Sequence, residues 1–184
     1  DNDLSSKFGF DSIYSAFHNR LEGQIDTSKL NDALHKRAVL ENIQILFGIE
    51  ALSILENQVV TSKGIIGAKK IAICTNGFAQ QFLPDEDILP ARAQVLITKP
   101  IPNLEIKGTF HLDKGYYYFR NIDDRILFGG GRNLDFKTEE TAQFGQTDII
   151  QNKLEEILKE SILPKTDFEI DQRWSGIMGV GNQK

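Results

Sequence analysis

The sequence predicts an α+β fold, an antiparallel (mixed) sheet with flanking helices. Three observations predict it. Between Phe110 and Phe128, short apolar and aromatic runs are separated by two polar turns, Asp113-Lys114-Gly115 and Asn121 to Asp124; sequential strands with tight turns make an antiparallel meander. Two other segments, after Asp26 and after Thr147, carry apolar residues at helical spacing. Leu89 to Thr98 reads as one long strand.

In chain order, Phe8 to Phe17 is mixed, with a strand expected over Ile13 to Phe17. A helix follows, with Asp26 or Thr27 as its N-cap. Its apolar stripe is Leu30, Leu34 and Ala38, and it ends near Asn42. Ile43, Ile45 and Phe47 alternate as in a strand, broken by Gly48. Leu52 and Ile54 continue in extended form, Asn57 turns, and Val59 to Thr61 begins another strand. Lys63-Gly64 turns again, before Ile65 to Gly67 and Ile71 to Cys74. A short helical piece spans Phe78 to Leu83 and stops at Pro84. The last helix is expected from Thr147 to Ile162, burying Ile150, Leu154, Ile157, Leu158 and Ser161. On it Glu155 and Lys159 form an i,i+4 pair. A strand over Phe168 to Gly176 closes the series.

The length of 184 residues suits one large domain or one and a half small ones. Hydrophobic content of 40% with 26% charged residues is that of a globular chain able to bury a core. The net charge of −5 is spread along the chain. No basic stripe is present, which argues against a nucleic-acid partner. One cysteine, Cys74, allows neither an internal disulfide nor a thiolate metal cage, and fits a reducing, cytoplasmic setting. No apolar run is long enough to span a bilayer, and no signal peptide is visible. The chain opens on Asp1 without Met and stops at Lys184, soon after Gly179-Val180-Gly181; an excised internal fragment is expected.

The chemistry-bearing residues are few. His18, His35 and His111 lie far apart without ligand-spaced partners, so no metal site is expected. Cys74 sits in an apolar run and reads as a small core residue rather than a nucleophile. Gly129-Gly130-Gly131 has no following helix to cradle phosphate. Gly179 and Gly181 match only the start of G-x-G-x-x-G, whose third position is Lys184. Close backbone packing explains both clusters. Thr75-Asn76-Gly77, a polar turn after an apolar run, is where α/β proteins place ligands. In Tyr116-Tyr117-Tyr118-Phe119, Tyr116 and Tyr118 share one face of a strand, which either builds core or walls a pocket.

Five segments, taken in order, carry a resemblance. They are Glu22 to Leu30 before a helix; Ile43 to Ala51; Ile71 to Gly77 with Leu89 to Gln94; Tyr116 to Arg120 with Asp124 to Gly130; and Trp174 to Met178. Together they resemble FAD-dependent oxidoreductases of the D-amino-acid oxidase, glycine oxidase and sarcosine oxidase type. The resemblance implies an incomplete piece of a Rossmann-like FAD-binding domain over residues 1–88 and a substrate domain over 89–173. Residues 174–184 would form a strand returning toward the FAD domain.

It further implies that Ala51, Thr75, Asn76 and Gly77 approach FAD, and that Tyr116 or Tyr118 faces the substrate. Oxidases of this type often carry an arginine after W-x-G-[LIM] to clamp a carboxylate. Here that position is Met178, which favours an amine, or a clamp placed elsewhere. The implied function is oxidation of a small-molecule amine or amino acid by hydride transfer to FAD. The glycine-rich fingerprint is missing from this sequence, so the fragment alone is expected to bind FAD poorly and to be inactive. The alternatives are a cofactor-free α+β ligand- or protein-binding module and a flavoenzyme acting on modified tRNA.

Overall fold

The computed structural model describes residues 2–13 and 15–181. In chain order the elements are α1 (Asn2–Phe8), α2 (Thr27–Leu40), β1 (Ala51–Leu55), β2 (Gln58–Thr61), β3 (Gly64–Gly67), β4 (Leu89–Thr98), β5 (Thr109–Leu112), β6 (Tyr117–Ile122), β7 (Arg125–Gly130), α3 (Asp148–Ile157) and β8 (Ile170–Val180). Short 3-10 turns occupy Asn76–Gln81, Asp113–Gly115 and Arg132–Leu134, and a π turn, Leu158–Ile162, prolongs α3. The chain divides into two compact units. One comprises Gln24–Thr75 and Ala79–Glu86; the other comprises Asp1–Gly23, Asn76–Phe78 and Asp87–Lys184.

In the smaller unit, Asp26 is the cap of α2, its carboxylate accepting from the Ser28 and Lys29 amides at 3.0 Å each. The expected apolar stripe is not buried within the unit: Leu30 and Leu34 are 41% and 60% exposed. β1, β2 and β3 form an antiparallel meander, with Ile54 opposite Val59 and Val60 opposite Ile65. The expected strand over Ile43 to Phe47 does not form. The Ile43 amide is spent on the Ala38 carbonyl at 2.9 Å, and Phe47 lies edge-on to His35. Ile71 to Cys74 is likewise irregular, with no ladder partner among the described residues, and Cys74 is exposed rather than core.

The larger unit is built on a five-stranded antiparallel sheet in the order β5-β6-β7-β4-β8. β4 forms with the expected bounds. β8 runs further than its own alternation suggests, because β4 partners it from Leu89–Val180 to Thr98–Ile170. One sheet face carries the core. Ile150 and Leu154 of α3, with Leu158 and Ile162 of the π turn, are buried with Leu96, Tyr117, Phe119, Ile126 and Phe128. The helix widens at its end, so a π turn stands where continuous α-helix was expected.

Phe10 lies edge-on to Phe110 and Phe119, and Phe8 stacks on Phe10. The N-terminal phenylalanines therefore complete the core of this sheet. The expected strand over Ile13 to Phe17 is absent from the described residues there, Tyr14 lying outside them, and Phe17 is fully exposed. Glu155 pairs with Arg173 of β8, and Lys153 pairs with Glu156; these contacts stand in place of the expected Glu155–Lys159 pair.

Candidate functional site

The other face of the large sheet is open. Residues directly opposite in neighbouring strands share a face. His111 stands opposite Tyr118, Tyr118 opposite Gly129, Gly129 opposite Val95, and Val95 opposite Trp174. Met178, four residues beyond Trp174 and opposite Ala91, lies on the same side. Trp174 and Met178 are 41% and 40% exposed, whereas Tyr117 and Phe119, on the core side, are 5% and 2% exposed. The result is a wall of aromatic and apolar side chains that also takes in His111 and, two residues from Tyr118 on the same side, Arg120.

Gly129 makes the arrangement of Tyr118 possible. A Cβ there would stand 2.5 Å from Val95 Cγ1 and 2.9 Å from Cε2 and Cζ of Tyr118. The tyrosine ring thus lies across the glycine, in space a side chain would fill. Burial pushes the Tyr118 hydroxyl pKa up, so the group is a neutral hydrogen-bond donor at ordinary pH. Tyr116 is elsewhere. It follows the 3-10 turn in right-handed helical conformation and lies edge-on to Phe136, packing against the core. Its carbonyl accepts from the Gly131 amide at 3.0 Å and sits 2.0 Å from where a Cβ of Gly130 would be. Of the two tyrosines, Tyr118 is the one on the open face.

The core face beneath β4 and β8 holds a polar layer. Nε and Nη2 of Arg92 donate to the two Glu139 oxygens at 2.8 and 2.9 Å. Thr147 Oγ1 donates to Glu139 at 3.2 Å and accepts from Gln94 at 2.8 Å. Gln151 donates to Gln94 and accepts from Arg173, at 3.1 and 2.7 Å. Burial raises the Glu139 pKa; the hydrogen bonds and the charge of Arg92 outweigh it and hold the carboxyl below its ordinary value. The layer fastens the connection from β7 to α3 under the sheet, helped by the Arg92 amide to the Glu139 carbonyl and by the Gly145 amide to Ser175 Oγ, at 2.8 and 2.9 Å.

The turn expected to meet a cofactor is split in its behaviour. Asn76 and Gly77 lie against β8: Asn76 bonds its backbone, and Gly77 approaches so closely that a Cβ would stand 2.6 Å from the Met178 carbonyl oxygen. Thr75, in the smaller unit, has a buried hydroxyl oxygen without a hydrogen-bond partner among the described residues. Ala51 is half-buried at the start of β1, opposite Thr61.

A hollow of about 490 Å³ between Asn57, Gly67, Ala68 and Lys69 is wide open and brings together no reactive side chains, so the aromatic wall is the better candidate site. Among the described residues no group of His, Cys, Asp and Glu is placed to hold a metal ion. Trp174, Val95 and Gly129 were not singled out from the sequence for this site. The alternation Trp174, Gly176, Met178 carried the signal for the first of them.

Residues 2–183 match the family model described as FAD dependent oxidoreductase, DAO. The chain belongs to the DAO family. The cofactor of the family is FAD. Among solved structures, this DAO chain is similar to L-proline dehydrogenase from P. horikoshii, at 21% identity and a TM-score of 0.73, covering 86% of this chain and 45% of that one. It is similar to glycine oxidase from Bacillus cereus ATCC 14579 at 16% identity and a TM-score of 0.69, covering 84% and 43%. NikD, an unusual amino acid oxidase essential for nikkomycin biosynthesis, aligns with 99% of this chain and 52% of its own at 13% identity and a TM-score of 0.77. The DAO chain thus spans less than half the length of the first two. No curated protein matches its sequence.

One feature of the smaller unit is open to a polar ligand group: the buried hydroxyl of Thr75, without a hydrogen-bond partner among the described residues. The glycine clusters of this DAO chain do not supply a phosphate cradle. The space above Gly130 holds the Tyr116 carbonyl, and that above Gly179 holds Ile88 and Asn76.

Proposed function

We propose that this chain supplies the substrate-side sheet and part of the FAD-binding portion of an oxidoreductase acting on a small-molecule amine or amino acid. The observation that carries the proposal is Tyr118 lying across Gly129 on an open face shared with Trp174, Val95 and Met178. The neutral Tyr118 phenol in this wall donates a hydrogen bond to a polar substrate group. Trp174, Val95 and Met178 give the reacting carbon apolar neighbours. FAD, when bound, supplies the electron acceptor for the carbon–hydrogen bond next to nitrogen.

Thr75 meets FAD through its buried hydroxyl, and the backbone at Ala51 meets the adenine end. Asn76 and Gly77 reach it through backbone alone, because their other sides are occupied by β8. In this reading the smaller unit holds the Rossmann-like piece, the larger unit, which takes in Phe8, Phe10 and β8, holds the substrate domain, and the enzyme works in the cytoplasm. Met178 offers no charge, which places an amine ahead of an amino acid clamped at that position.

The test is oxidation of a panel of secondary amines and amino acids, followed by reduction of a dye, in the complete enzyme that contains this chain. Tyr118→Phe is expected to lower kcat/KM about 10-fold to 100-fold, the worth of one well-placed hydrogen bond. An unchanged kcat/KM refutes the site. Turnover or stoichiometric FAD binding by the 184-residue chain alone refutes the view that its phosphate cradle lies elsewhere.

A further inference from the structure

β8 ends the sheet order, so one row of its backbone groups faces no strand among the described residues. At one point of that row a side chain stands in. Asn76 Oδ1 accepts from the Gly179 amide at 2.8 Å, and Asn76 Nδ2 donates to the Ile177 carbonyl at 3.4 Å. One carboxamide thus meets the carbonyl of one residue and the amide of the residue two further on, as the N–H and C=O of a single residue in a parallel neighbouring strand would. The backbone on both sides is cut to fit. Asn76 adopts φ +49°, a conformation asparagine tolerates better than most residues. A Cβ at Gly77 would stand 2.6 Å from the Met178 carbonyl oxygen, and one at Gly179 would stand 3.1 Å from the Asn76 carbonyl carbon. The residue enclosed between the two bonds is Met178, whose side chain lies on the open face.

We infer that Asn76 is a positioning residue: its carboxamide clasps the free edge of β8 and sets where the Met178 side chain stands on the substrate wall. The catalytic half of this inference rests on the proposed function; the clasp does not. Thr75-Asn76-Gly77 then has two jobs, the hydroxyl of Thr75 serving the cofactor and the amide of Asn76 serving the wall. Side-chain length matters, since a shorter residue cannot reach Gly179. The acceptor matters more than the donor, because the bond to the Gly179 amide is much the shorter.

The test compares Asn76→Ala with Asn76→Asp, which keeps the acceptor and loses the donor. In the 184-residue chain, hydrogen exchange of the Gly179 amide is followed by NMR. Asn76→Ala is expected to speed it about fivefold or more, the factor that loss of one neutral hydrogen bond represents. Asn76→Asp is expected to keep most of the protection, and amides between β4 and β8 are unmoved in both. In the complete enzyme, Asn76→Ala raises KM about threefold or more and lowers kcat by less than that; Asn76→Asp restores KM toward wild type. Unchanged Gly179 exchange in Asn76→Ala, or equal acceleration in both variants, overturns the clasp. Faster exchange with an unchanged KM overturns its link to substrate. If wild-type enzyme oxidises no amine or amino acid, the proposed function fails, and the exchange result still decides the clasp.

Discussion

Replacing Glu139 by glutamine probes the polar layer with the least change of shape. The wild-type carboxylate is wholly buried, and the Arg92 side chain opposite it is 10% exposed. Two charge-assisted hydrogen bonds at 2.8 and 2.9 Å join them, and Thr147 adds a third at 3.2 Å. Glutamine keeps one acceptor but turns an NH₂ group toward the guanidinium, leaving a buried cation without its counter-charge. Breaking a buried pair this way costs about 3–5 kcal/mol. The residual exposure of Arg92 lets water recover part of the loss, which points to the lower end, about 3 kcal/mol.

Urea unfolding followed by Trp174, the single tryptophan, reads the change on the same sheet. Arg92→Met should cost a similar amount, and Arg92→Met with Glu139→Leu should cost well below the sum, because no orphan charge remains. A loss under about 1 kcal/mol for Glu139→Gln, or strict additivity in the cycle, refutes the claim that this pair fastens the connection under the sheet. The same titration at falling pH gives an independent check. The folded-state pKa of Glu139 is depressed, so its contribution is present above the unfolded value, about 4.3, and is lost as pH falls through the folded value. Glu139→Gln should flatten that acid limb.

Gly129→Ala forces a Cβ to within 2.5 Å of Val95 and 2.9 Å of the Tyr118 ring; a stability loss of about 1–3 kcal/mol is expected, with a changed near-ultraviolet signal from the displaced tyrosine. An unchanged signal would show that the ring does not need the glycine. Asp26→Ala removes both cap bonds of α2 and should cost about 0.5–2 kcal/mol of helix stability, seen as lower helicity in the circular dichroism of the chain; equal helicity would deny the cap its role.

Much of the large sheet was readable locally. The meander from Phe110 to Phe128 announces itself by alternation and turn residues, and β4 runs between the residues the sequence proposes. Where reading failed, the missing information was non-local. Ile43, Ile45 and Phe47 alternate as a strand should, but alternation creates no partner, and the backbone there closes the end of α2 instead. Phe8 and Phe10 look indifferent until Phe110 and Phe119 are folded against them. The choice between Tyr116 and Tyr118 turned on the Asp113–Gly115 turn, where Asp113 and Lys114 take φ of +46° and +56° although neither is glycine; that turn draws Tyr116 out of the strand. Arg92 and Glu139 sit 47 residues apart, and no spacing rule joins them.

The docking of Phe8 and Phe10 has a consequence for how the protein is made. A ribosome releases the chain from its amino end, so these two aromatic rings emerge long before Phe110 and Phe119 are synthesised. β4 waits in turn for β8, its partner along its whole length. The three sequential strands around Tyr118 close short loops and are fitted to form first. Phe8, Phe10 and β8 then add to them across large sequence separations, which is slow. During that interval the nascent chain carries Phe8 and Phe10 with no receptor, the kind of exposed apolar segment that chaperones cover during synthesis.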